Sequence, residues 1–165
     1  MSNGVKFINR AAVGSTDTWL TPRWILDELG TFDLDPCAAP NWPTAKRMIV
    51  TPEDGLAADW SGQRVWLNPP YSNWGEWLAK LSNENNLNGI ALIFARTETR
   101  AFFNHVWFKA HGLLFIKGRV RFCRPDGTTA GSSSAPSVLI AYGRDNAEVL
   151  RRSNISGKYI PNPLP

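Results

Sequence analysis

Apolar and polar positions along this chain follow two periods, and the switches between them mark out its elements. Ile25, Leu26 and Leu29 lie at helical spacing between Thr21-Pro22 and Gly30. Thr21 suits an N-cap, Pro22 the first helical position and Gly30 a stop, so a helix is predicted there. Phe32-Asp33-Leu34-Asp35 reads as a short strand with an acidic C-terminal end. The stretch from Pro36 to Pro43 holds three prolines and admits no long regular element, and Arg47 to Val50 reads as a second short strand. Arg64 to Asn68 is a strand that Pro69-Pro70 ends abruptly. Trp74, Trp77, Leu78 and Leu81 recur at i, i+3, i+4 and i+7, which predicts a helix with one apolar stripe. Gly89 to Ala95 is a continuous apolar run, the pattern of a strand buried on both faces.

A helix should follow with Phe103, Val106, Trp107 and Ala110 on one side. Leu113 to Ile116 and Arg119 to Phe122 read as strand, interrupted at Lys117-Gly118, and Ser137 to Tyr142 as another. The Gly-, Ser- and Thr-rich loop from Arg124 to Pro136 leaves no helix before that last strand, so the pairing across it should be antiparallel. The tail from Asn154 carries three prolines and should be irregular. Strands alternating with helices and closing in a hairpin imply an α/β fold: a mostly parallel sheet with an antiparallel C-terminal hairpin. The expected organisation is a polar arm over residues 1–18, one domain over 19–153 and a Pro-rich tail over 154–165. Ligands of such sheets bind beyond the C-terminal strand ends, which places Asp35 and Asn68 on one rim.

Composition narrows the function little. A chain of 165 residues is about one domain, and its net charge of +4 fits an acidic partner without requiring one. Eight tryptophans are unusual; some should be core, and others are candidates to line a binding surface. Cys37 and Cys123 are far apart and form no ligand set with His105 and His111, so neither a disulfide nor a metal site is expected. No apolar run approaches the roughly 18 residues of a membrane span, and the N-terminus lacks the apolar stretch of a signal peptide. A cytoplasmic protein is expected.

Asn68-Pro69-Pro70-Tyr71, directly after a buried strand, carries the most information. It matches the (Asp/Asn)-Pro-Pro-(Tyr/Phe) motif of amino-directed methyltransferases. Thr21-Pro22, Asp33 to Ala39, Glu53-Asp54-Gly55-Leu56 and Lys117 to Phe122 stand in order around it. From about Trp19 to Tyr142 the chain thus resembles the compact phage-type DNA N6-adenine methyltransferases. The resemblance implies a Rossmann-like S-adenosylmethionine methyltransferase sheet, S-adenosylhomocysteine as product, no metal, and DNA as partner, in DNA methylation of the restriction-modification kind.

The chemistry explains the residue types. The lone pair of an exocyclic adenine amine is delocalised into the ring, so its nitrogen is a poor nucleophile. Two acceptors aimed at its N–H bonds, the Asn68 side-chain oxygen and the Pro69 carbonyl, stabilise the charge that develops as the methyl arrives. Pro69 and Pro70 hold the backbone so that both converge. Tyr71 offers a face for an extruded base. Asn68 has no proton-accepting pKa and is no general base.

For the cofactor, the resemblance assigns Asp35, Pro36, Cys37 and Ala38 as the acidic, small-residue motif, with Asn68 beside them. Asp54 resembles the residue that meets the adenine amine, and Thr21 and Pro22 the segment closing over the methionine part. The usual glycine-rich turn is missing, and only 33 positions separate Asp35 from Asn68. For DNA, Arg96, Arg100, Lys117, Arg119, Arg121 and Arg124 form a candidate phosphate-binding set, and Phe122 is a candidate second wall for the base, with core packing the favoured alternative. The rival readings are methylation of a glutamine amide or an RNA base, and a non-enzymatic DNA-binding module with a degenerate cofactor pocket.

Overall fold

Strand β3 (Val65–Leu67) shows how the layers arise, because successive side chains point to opposite faces. Val65 and Leu67 join one apolar cluster, and Trp66 joins the other. The computed structural model describes residues 18–83 and 87–162, and every element below lies within them. Helix α2 (Trp74–Leu81) covers the first face with Trp77, Leu78 and Leu81, and α1 (Arg23–Leu29) covers the second with Ile25, Leu26 and Leu29.

Around β3 the sheet holds β1 (Leu34–Asp35), β2 (Arg47–Met48), β4 (Gly89–Phe94), β5 (Gly112–Ile116), β6 (Ser137–Tyr142) and β7 (Gly157–Pro161). Their order is β2-β1-β3-β4-β6-β5-β7. The pairings from β2 to β4 are parallel, and those of β4 with β6, β6 with β5 and β5 with β7 are antiparallel. β1 to β5 therefore share one direction, and β6 and β7 oppose them. The expected β5–β6 hairpin is present, but the antiparallel part is larger than one hairpin, since β6 inserts between β4 and β5. The chain leaves β1 for β2 on one side and returns to β3 on the other. That reversal opens a crevice at the C-terminal ends of β1 and β3.

Five expectations need correction. The first helix starts at Arg23 with Pro22 at the cap position and no side-chain cap, so Thr21 is not its N-cap. Arg119 to Phe122 joins no sheet strand, although Arg119 and Arg121 are exposed while Val120 and Phe122 are buried, as alternation requires. The segment is held by Ala130 N–H to the Phe122 carbonyl and Ser133 N–H to the Val120 carbonyl. After β4 the helix is short, α3 (Arg100–Phe102), and continues as a π-helical turn over Phe103–Trp107. The wider turn brings Phe102 and Val106 into the core and leaves Phe103 46% exposed. The tail is not irregular: Gly157–Pro161 pairs along β5 as an edge strand, where Pro161 can sit at the end. Lastly α4 (Arg144–Arg152), absent from the pattern reading, packs Ala147 and Leu150 onto the second face. Of the expected polar arm, only Thr18 lies inside the described residues.

Candidate active site

Beyond the ends of β1 and β3 lies a cleft of about 200 Å³. Its wall includes Thr21, Asp35, Pro36, Cys37, Ala38, Asp54 and the whole of Asn68-Pro69-Pro70-Tyr71, so segments distant in sequence meet there. Pro22 alone of the residues assigned to the cofactor is not in the wall. Four tryptophans are: Trp19, Trp42, Trp66 and Trp77. Composition hinted at such a surface but did not say which of the eight would form it. Asp35, Glu53 and Asp54 supply three carboxylates to the lining, which includes no lysine, arginine or histidine.

Local packing explains why the acidic segments converge. A Cβ at Gly55 would stand 1.7 Å from the Pro36 carbonyl oxygen, so only glycine lets the 51–57 turn close onto the exit of β1. Asp54 Oδ1 accepts from Leu56 N–H at 2.9 Å, an Asx turn that holds the exposed carboxylate at the cleft edge. Asp35 is buried at 3% exposure; its carboxylate accepts from Cys37 N–H at 3.1 Å and from the Thr44 hydroxyl. Burial dominates over these hydrogen bonds and pushes its pKa up to about 6. Burial, with Asp35 beside it, also pushes the Cys37 thiol up, and the thiol donates to the Asn68 carbonyl at 3.4 Å. Asp33 is not in the cleft wall; its carboxylate binds Lys46 Nζ at 2.9 Å and accepts from Arg64 N–H at 3.0 Å.

Asn68 follows β3, and its carboxamide is clamped from the N-terminal side. Nδ2 donates to the Trp19 carbonyl at 2.7 Å and to Thr21 Oγ1 at 3.2 Å. Only the NH2 end can face a carbonyl, so Oδ1 is turned the other way, and it takes no hydrogen bond from the described residues. The Pro69 carbonyl likewise takes none. Tyr71 stacks on Phe94 with ring centroids 4.1 Å apart and planes at 12°, so one ring face is already covered. Phe122 meets Tyr71 edge-on at 6.4 Å and is buried in the second core cluster, which makes it packing beneath the tyrosine and not an open wall. Pattern alone did not reveal the Phe94 contact, which depends on β4 lying beside β3.

The basic segment lies against this corner. Leu20, in the cleft wall, exchanges two hydrogen bonds of 2.9 Å with Cys123. Arg119, Arg121 and Arg124 are exposed on either side of Phe122 and Cys123. Arg124 folds over its own loop, donating to the Thr129 carbonyl at 3.1 Å. Arg96 is exposed two residues beyond Phe94. Among the described residues no helix is long and apolar enough to cross a membrane, and no cluster of three or more metal-ligating side chains assembles.

Known proteins resemble this sequence. The DNA N-6-adenine-methyltransferase of Haemophilus phage HP1 (strain HP1c1) is 40% identical over 62 residues, a match spanning 34% of this chain and 36% of the phage protein. A sequence model of the family described as DNA N-6-adenine-methyltransferase (Dam) matches residues 9–156. With a proline-locked Asn-Pro-Pro-Tyr corner opening on an acidic cleft, and that match over most of its length, the chain belongs to the DNA N-6-adenine-methyltransferase (Dam) family.

Proposed function

We propose that this chain transfers a methyl group from S-adenosylmethionine to the N6 amine of an adenine extruded from DNA, on a Rossmann-like methyltransferase sheet. The observation that carries the reading is the Asn68 carboxamide, with its NH2 end spent on Trp19 and Thr21 and its oxygen left to accept in the cleft. The shared direction of β1 to β5 and the crevice at the strand reversal support the sheet type.

The cleft suits the cofactor in charge and shape. S-adenosylmethionine is a cation, and the wall offers Asp35, Glu53 and Asp54, the half-buried Trp19 and Trp42 and no basic side chain. Asp35, Cys37, Ala38 and Asp54, all in the cleft wall, are the residues that would hold it. When bound, the cofactor supplies an electrophilic methyl carbon on a sulfonium. Asn68 Oδ1 and the Pro69 carbonyl accept the two N–H bonds of the target amine, draw its nitrogen toward tetrahedral geometry and stabilise its developing positive charge. Tyr71, held by its stack on Phe94, is the aromatic ring against which the base packs. Arg119, Arg121 and Arg124, with Arg96, engage phosphates beside the corner.

Incubation of the protein with DNA and methyl-labelled S-adenosylmethionine, followed by nucleoside analysis, tests the reading. Label in N6-methyladenine is expected. Label confined to RNA or to protein glutamine would overturn the substrate, and failure of calorimetry to detect cofactor binding would overturn the enzyme.

A further inference from the structure

Asn68 is nearly symmetric in shape but not in chemistry: a half-turn about its last side-chain bond exchanges an acceptor for a donor. Only one orientation presents oxygen to an amine. The protein makes that choice with residues outside the motif. Trp19 and Thr21 belong to a strap that crosses in front of the β3 exit, and both protons of Asn68 Nδ2 are directed at it, one to the Trp19 carbonyl and one to Thr21 Oγ1. The strap is itself fixed. Leu20 is hydrogen-bonded twice to Cys123, the Thr21 carbonyl accepts from Trp42 Nε1 at 2.9 Å, and Leu20 and Thr21 are both buried.

We propose that Thr21, acting with the Trp19 carbonyl, is a positioning residue that fixes which end of the Asn68 carboxamide faces the substrate. The inference rests on the methyl-transfer reading but makes its own demands. The strap is matched to an amide: a carboxylate in place of Asn68 would set an oxygen 2.7 Å from the Trp19 carbonyl, acceptor against acceptor. Such a carboxyl fits only when protonated, with its O–H donating to Trp19 and its carbonyl turned to the amine.

The test compares the wild type with Thr21→Val, Thr21→Ser and Asn68→Asp in DNA methylation at saturating cofactor and DNA, with thermal melts of each. Thr21→Val keeps the shape and removes the hydroxyl acceptor; kcat should fall about 5- to 10-fold, the effect of one lost hydrogen bond, while KM for the cofactor and the melting temperature stay close to wild type. Thr21→Ser should restore kcat. Asn68→Asp should be most active at low pH and lose activity as pH rises, a limb absent from the wild type. In ¹⁵N-labelled protein the Asn68 side-chain amide protons, assigned by their loss in Asn68→Asp, should be protected from solvent exchange and less so in Thr21→Val. Three results would overturn the proposal: unchanged kcat in Thr21→Val, a rise in cofactor KM without a fall in kcat, or freely exchanging Asn68 amide protons in the wild type. A wild type that methylates no DNA would sink the functional reading instead, and the exchange measurement would still decide the orientation.

Discussion

The wall of the cleft and the segment that borders it are built on opposite electrostatic principles, although they touch at Leu20–Cys123 and Tyr71–Phe122. The wall carries three carboxylates among four tryptophans and no cationic side chain. The bordering segment presents Lys117, Arg119, Arg121 and Arg124 to solvent. A net charge of +4 says nothing of this division. The contrast teaches that the charge is sorted, with carboxylates lining the concave surface and cations exposed on the segment beside it. At physiological ionic strength the exposed arginines are screened over about 8 Å, so the two surfaces can act separately on ligands of opposite sign.

The strongest way to break this comparison is at the junction. Asn68→Ala removes the acceptor and should lower kcat by about 10²- to 10³-fold, with cofactor affinity by calorimetry little changed. Equal loss of both would place Asn68 on the cofactor side. Tyr71→Ala should lose roughly 10- to 100-fold in kcat/KM for DNA, the range of one base–aromatic stack, whereas Tyr71→Phe keeps the ring on Phe94 and should be nearly unaffected.

Asp35 tests the acidic wall by itself. Because burial holds its pKa near about 6, it becomes an anion only as pH rises through that value. Binding of a cationic ligand should therefore strengthen from about pH 5 to 7, and Asp35→Asn should flatten the profile and weaken binding about tenfold at the upper end. The unliganded fold should respond in the opposite sense. A carboxyl with a folded pKa of about 6 against 3.8 in the unfolded chain contributes stability that is fully present below 3.8 and lost as pH rises through 6, which chemical denaturation across that window measures. The smallest effect belongs to the basic segment. Arg121→Ala should weaken DNA binding a few-fold at moderate salt and reduce the slope of log affinity against log salt by about one, with kcat at saturation unchanged. A change in cofactor affinity in that variant would show that the surfaces are not separate.

Much of the scaffold was legible because burial follows periodicity. The strand at Ser137–Tyr142 and the helix at Trp74–Leu81 lie where the apolar pattern puts them. The pattern misled where one period competes with another constraint. A 3.6-residue reading placed Phe103 inside, but the π-helical turn rotates it out. Helix α4 leaves little trace in the apolar pattern because its stripe is only Ala147 and Leu150, although Glu148 with Arg152 four residues on is a helical signal. Three prolines suggested an irregular tail, yet an edge strand tolerates Pro161 where a central one would not. Of the residues assigned to the cofactor, Thr21, Asp35 to Ala38, Asp54 and Asn68 gather in one cleft and Pro22 does not. Thr21 stands there with its hydroxyl turned to Asn68.

What the sequence by itself determined is local: the proline-locked bend after β3, the acidic exit of β1 and the burial of the central strands. Each follows from backbone restriction or from the solvation of neighbouring side chains. Only the tertiary structure decided the strand order, which tryptophans reach the cleft, Phe94 under Tyr71 and the end of Asn68 that faces outward. Those depend on atoms such as Asn68 Nδ2 and the Trp19 carbonyl, 49 positions apart, and hydrogen bonds between such distant partners leave no period in the chain for a pattern to detect.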